Sequence, residues 1–162
     1  MPARPILLAF ALTVSATAAE ARQVAQLPAS ATKAEGIVRI RSNHGFDDTV
    51  DRLKAAIAAK GVRFFDALDQ QALGKEANLT IGKSVIVRFG NPPLGVQFLQ
   101  ANRYAGLDWP VRMLVVEEAD GSVWLAWTDF TFMAKRYGIT TQDAQFKMAA
   151  GVARAIAADA AK

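Results

Sequence analysis

The sequence has no cysteine, one histidine and two tyrosines in 162 residues. Lacking a thiol, the chain by itself makes no disulfide, thiolate nucleophile, Cys-ligated zinc site or iron–sulfur cluster. A lone histidine, His44, excludes a two-histidine metal centre, and the H-E-x-x-H signature is absent. A serine triad through His44 lacks the G-x-S-x-G elbow that would present the serine. Leu79-Thr80-Ile81-Gly82-Lys83-Ser84 imitates a phosphate-binding loop, but Ala77 stands where the first glycine belongs and a strand pattern follows where a helix is required. Lys83 and Ser84 as neighbours on a strand would point to opposite faces, which excludes a Ser–Lys dyad. Oxygen donors alone remain for a metal, and neither metal nor cofactor is expected.

With 19 basic residues against 15 acidic, the formal charge is only +4, and 52% of residues are hydrophobic against 21% charged. That balance reads as one globular domain with a single core. Residues 1–21 have the make-up of an export signal. Arg4 supplies positive charge, Ile6 to Val14 form an apolar run, and Ala16, Ala18, Ala19 and Ala21 offer A-x-A cleavage sites. The run of about nine residues is well short of the roughly 20 that span a bilayer as a helix. Cleavage after Ala18, Ala19 or Ala21 is expected, with a periplasmic or secreted location. Residues 22–35, rich in Ala and Gln with one proline, read as a flexible leader to a domain over residues 36–162.

Within that domain, strand and helix periods alternate. Val38 and Ile40 mark a first strand; Phe46, Val50, Leu53 and Ile57 recur at helical spacing, with Asp47 and Asp48 in the first turn and Gly61 as a stop. Strands are expected at Val62–Leu68, Ser84–Phe89, Val111–Glu117 and Val123–Thr128, the last two joined by an Asp120-Gly121 hairpin. Asn91-Pro92-Pro93 predicts a cap and first turn of a short helix, Asp129 the cap of another ending near Gly138. A final helix starts near Thr141 with Phe146, Ala149, Ala153, Ile156 and Ala160 on one face. The order β-α-β-β-β-β-α, with short helical inserts, predicts an α+β fold: a mainly antiparallel sheet covered on one face by two long helices.

Strand alternation sends Val38, Ile40, Val62, Phe64, Val85, Val87, Phe89, Val111, Met113, Val115, Val123 and Leu125 to the helix side. The other face receives Arg39, Arg41, Arg63, Arg88 and Arg112, interleaved with Phe65, Ile86, Leu114, Val116 and Trp124. One reading is a basic, partly apolar platform for an anionic ligand or a second copy; the other is an ordinary exposed face whose arginines pair with local acids such as Asp66 and Glu117. Glu117-Glu118, before a turn, reads as solvated, and His44 as a solvated loop residue.

The segments Ser42 to Leu53 (S-x-H-G-F-D-D-T-V-D-R-L), Ala67 to Gln70, Phe89 to Pro92 (F-G-N-P), Gly106 to Pro110 (G-L-D-W-P) and Asp129 to Ile139, in this order, resemble the bacterial domain of unknown function 302 family. The resemblance covers about Gly36 to Ile139 and implies a TATA-binding-protein-like β-α-β4-α fold, with no established activity attached to it. Family members often carry Asp-His and Asp-Pro where this chain has Asp69-Gln70 and Asp129-Phe130.

Two readings of the motif residues stand side by side. Asn91, Asp108 and Asp129 belong to strand ends and helix starts; alternatively they meet Asp69, Lys83 or Arg136 at one end of the sheet and line a pocket. Export and the modest net charge argue against nucleic acid, and the final helix balances its charges too evenly for a membrane surface. The sequence therefore favours a noncatalytic exported module, a homodimer holding a small anionic or amphipathic ligand. The alternative is a small hydrolase or lyase with Asp69, Asp108 or Asp129 as general base and Lys83, Arg112 or Arg136 stabilising negative charge.

Overall fold

A computed structural model describes residues 35–162. The expected signal segment, and all of the expected leader but Glu35, lie outside the described residues. Within them the chain runs β1 (Ile37–Arg41), α1 (Phe46–Ala59), β2 (Arg63–Asp69), α2 (Gln70–Glu76), β3 (Ser84–Gly90), α3 (Pro92–Ala101), a 3-10 turn (Arg103–Leu107), β4 (Val111–Glu117), β5 (Val123–Thr128), α4 (Phe130–Arg136) and α5 (Asp143–Ala161). The strands form one five-stranded sheet in the order β1-β5-β4-β3-β2, every neighbouring pair antiparallel. The α+β expectation holds. Sequence alternation did not reveal α2 or the 3-10 turn, because each is about two turns or shorter and presents no full apolar stripe.

The core lies between the sheet and its helices. From α1 it takes Phe46, Val50, Leu53 and Ile57, from α5 Phe146, Ala149, Ala153 and Ile156, and from the sheet Val87, Phe89, Met113, Val115 and Leu125, all buried. The small side chains of α5 let it lie beside α1. Its terminal carbonyls, orphaned as at any helix end, are met from that side: Arg52 Nε donates to the Ala160 oxygen at 3.2 Å and the Asn43 amide to Ala161 at 2.9 Å. Phe98 of α3 stacks on Phe146 at 4.2 Å between centroids and so fixes α3 against α5.

At β2 the alternation slips. A bulge between Phe64 and Asp66 leaves Phe65 without a partner on β3, so Asp66 rather than Phe65 faces Arg88. Phe64, assigned to the covered side, does pair with Phe89 but stays 43% exposed, since β2 is an edge strand.

The F-G-N-P and G-L-D-W-P segments meet in space. The indole of Trp109 rests on Gly90 at the end of β3 and on Gly95 in the first turns of α3, and meets Phe65 edge-on at 6.2 Å. A Cβ at Gly95 would collide with that indole. Alanine for glycine in a helix ordinarily gains up to about 1 kcal/mol; here overpacking of about 1–3 kcal/mol outweighs it. Gly95→Ala is therefore expected to lower the denaturant midpoint and alter the near-ultraviolet tryptophan dichroism, and a midpoint at or above wild type would refute the packing role given to Trp109.

Candidate functional site

β3 ends, β4 begins and β5 ends at the same edge of the sheet, because Phe89 faces Val111 and Met113 faces Trp127 in register. That edge gathers Asn91, Asp108 and Asp129, with Arg136 at the end of α4. Asp69 pairs with Val85 and Lys83 precedes β3, which places both at the opposite end. The candidate constellation is thus split by the length of the sheet.

Asp108 is the polar centre of the first group. Its side chain is 2% exposed, and three donors converge on it: Arg112 Nη2 at 2.5 Å on Oδ1, and the Tyr137 hydroxyl at 2.6 Å and Arg136 Nη1 at 3.2 Å on Oδ2. A carboxylate out of water is tolerated only when paired and hydrogen-bonded in this way. Burial, and then Asp108 itself, push the Tyr137 hydroxyl above its ordinary value, so it stays a donor. Tyr137 was not among the sequence candidates; only its place in the Asp129 to Ile139 segment pointed to it.

The other aspartates are occupied locally. Asp129 accepts from the Phe132 amide and Asp69 from the Ala72 amide, each at 2.9 Å, as helix N-caps. Asn91 does not cap with its side chain as expected; its carbonyl takes the Leu94 and Gly95 amides and its side chain makes no cap hydrogen bond. Lys83 pairs with Asp47 at 3.5 Å and lies over the Phe46 ring. His44 departs from the solvated reading: Nδ1 lies 3.0 Å from Asp48, and Nε2 is buried without a hydrogen-bond partner. Among the described residues no three His, Asp or Glu side chains are grouped to hold a metal.

On the uncovered sheet face Arg88 and Arg112 stand directly opposite each other, yet each holds its own carboxylate, Asp66 for Arg88 and Asp108 for Arg112. The Arg88 guanidinium keeps the Asp66 carboxyl below its ordinary range, mainly through their hydrogen bonds. Arg39 covers the Trp124 ring at 4.2 Å and Arg63 the Phe65 ring at 5.0 Å. Arg41 contributes, after the Ser122 hydrogen bonds, to a lowered Asp120. Local partners thus take up the charge. Between them run the half-buried Leu114, Ile86, Val116 and Trp124, with Ile37 and Leu68 about half exposed on the edge strands.

On the helix side, next to the Asp108 group, lies a cavity of about 330 Å³. Its floor is Phe89, Gly90 and Val111, one wall is Leu94, Gly95 and Phe98 of α3, and the other is Met148, Ala149, Val152 and Ala153 of α5. Val111 and Phe130 also border a very small recess at Asp108, so the buried carboxylate and the cavity share a wall. Among the described residues Lys60 carries the only charge in the lining and Asn91 the only side-chain amide. Sequence reasoning missed the cavity because an alanine-rich helix face reads as close packing, and only the separation of α3 from α5 opens it.

If the Tyr137 hydroxyl supports the Asp108 carboxylate, Tyr137→Phe costs about 1–2 kcal/mol at neutral pH. The native protein holds that phenolic proton longer than the unfolded chain does, so the native advantage declines as pH rises above about 10. Denaturation at neutral and alkaline pH should show a wild-type decline that is smaller in Tyr137→Phe; parallel curves would contradict the assignment.

The family described as "Domain of unknown function DUF302" matches residues 38–158. Among curated proteins, Fluoride-specific ion channel FluC 1 of Brucella suis biovar 1 is 35% identical over 104 residues, 64% of this chain and 41% of that protein. FluC 2 of Brucella melitensis biotype 1 is 35% identical over the same share of this chain and 38% of its own length. The chain therefore spans about two-fifths of the curated relatives it matches. The crystal structure of the uncharacterized conserved protein DUF302 from Bacillus stearothermophilus is similar with a TM-score of 0.66 at 20% identity, covering 80% of this chain and 100% of that one. That likeness concerns the fold. By its sequence, over nearly the whole of the described sheet and helices, the chain belongs to the DUF302 family.

Proposed function

We propose that this protein is an exported, noncatalytic module that holds a small amphipathic ligand in the cavity between α3 and α5. The observation that carries the reading is the cavity itself: about 330 Å³, lined mainly by apolar side chains, with Lys60, Asn91 and the indole of Trp109 as polar side chains on its lining. Small-molecule sites have this character and begin near this size. The arginine face, by contrast, has its charges engaged by Asp66, Asp108 and aromatic rings, which leaves less for an anion there. Export rests on the composition of residues 1–21.

A hydrolase or lyase built on an aspartate base has weaker support. Asp69 and Asp129 cap helices, and the lone pairs of Asp108 are engaged by two guanidinium groups and a phenol. The activity in the FluC names belongs to whole proteins of which this chain spans about two-fifths, and the cavity reading brings no fluoride transport to this domain.

The same proposal pairs two copies through the uncovered sheet face. Locally matched arginines lower the repulsion between facing copies, and Leu68, Ile86, Leu114 and Ala126 lie in one cross-strand row as an apolar strip over four strands.

Native mass spectrometry of the signal-cleaved protein, recovered gently from the exported fraction, is expected to give a dimer that retains a fixed added mass. Gly151 lines the cavity, and a Cβ there meets open space. Gly151→Phe should fold normally and lose the added mass; an unchanged mass would remove the cavity as the binding place. Leu114→Lys should leave the bound mass and abolish the dimer, whereas a dimer that survives it would move the interface elsewhere.

A further inference from the structure

We infer that the cavity ligand is a monocarboxylate of about eight carbons in all with an unbranched apolar tail, and that its head group binds by taking Lys60 from Asp159. This rests on the cavity reading above and adds the chemistry of the ligand. Among the described residues the lining contains no carboxylate, and Lys60 is its only charge. An acidic head is therefore attracted where a cationic one would be repelled. The Asn91 side chain, which makes no cap hydrogen bond, supplies an amide on the same lining.

The tail length follows from volume. At roughly 30 Å³ for each water-sized unit, a 330 Å³ space takes on the order of ten non-hydrogen atoms. Octanoate has about that many, and the aliphatic and aromatic lining from Phe89, Leu94, Phe98 and Val152 suits a chain without further polar groups.

The competition with Asp159 follows from the state of Lys60 without ligand. Its ammonium lies 3.0 Å from Asp159 Oδ2, with the two side chains 41% and 44% exposed. Asp159 is not part of the lining. A carboxylate arriving from the cavity side must share or replace that partner. A surface pair of this kind is weak, so the exchange costs little. The ion pair therefore acts as a tuner of affinity: removing the lysine weakens binding of the acid, and removing the aspartate strengthens it.

Octanoate and octanol, titrated by calorimetry into the full chain, separate the two levels of the reading. Octanoate is expected to bind wild type, about fivefold more weakly to Lys60→Gln and severalfold more tightly to Asp159→Asn. Octanol, alike in tail and without charge, should bind all three equally, and Gly151→Phe should exclude both. Both Lys60 and Asp159 are surface residues, and thermal melts of each variant are to check that it is folded. Octanoate affinity that ignores Lys60→Gln, or falls there in step with octanol, overturns the head-group assignment while leaving the cavity reading in place. Failure of both compounds to bind wild type, or undiminished binding to Gly151→Phe, overturns the cavity reading and this inference with it.

Discussion

The buried carboxylate of Asp108 is the constraint from which one end of the sheet is built. An ionised group removed from water is expensive unless its oxygens are saturated, and here they are met by Arg112 from β4 and by Arg136 and Tyr137 from the end of α4. That convergence ties the start of β4 to α4. Trp109, next in the chain, is thereby held at the sheet edge, where its indole lies on Gly90 and Gly95. The indole also lines the cavity between α3 and α5, so the polar knot and the apolar pocket adjoin through Trp109.

The sheet's two faces solve different problems. On the helix side, hydrophobic burial is interrupted where α5 offers Ala149, Gly151 and Ala153, residues too small to fill the gap beside them. On the uncovered side, two guanidinium groups sit directly across from one another, an arrangement that would oppose folding if left alone. The bulge in β2 matters here: by skipping Phe65 it brings Asp66 opposite Arg88, while Asp108 reaches Arg112 from the loop before β4. Each of the two facing guanidinium groups is thus balanced by its own carboxylate.

The strands and long helices were legible in the sequence because their signals are local. Alternation at residues 111–117 and 123–128 and the i, i+3, i+4 recurrence from Phe46 to Ile57 depend only on neighbours in the chain. The observed bounds of β4 and β5 coincide with those readings, and the Asp129 cap with its short helix was found as expected. The bulge was not legible, since one extra residue in an edge strand leaves the same apolar composition. The short α2 carried a cap, Asp69, but too few turns to announce itself.

For the site, the residue types were readable and their company was not. The sequence by itself determined the α+β fold, the family, the absence of thiol and two-histidine chemistry, and the aspartates and arginines available for a site. Tertiary structure decided that Asp108 meets Arg112, Arg136 and Tyr137, that Asp69 and Lys83 lie at the far end of the sheet, and that α3 and α5, joined where Phe98 stacks on Phe146, leave a cavity over Phe89 and Val111. The division has a physical cause. Periodicity and capping are fixed within a few residues of chain, whereas a buried ion cluster or a cavity is set by distances between elements, which depend on how all the side chains between them pack.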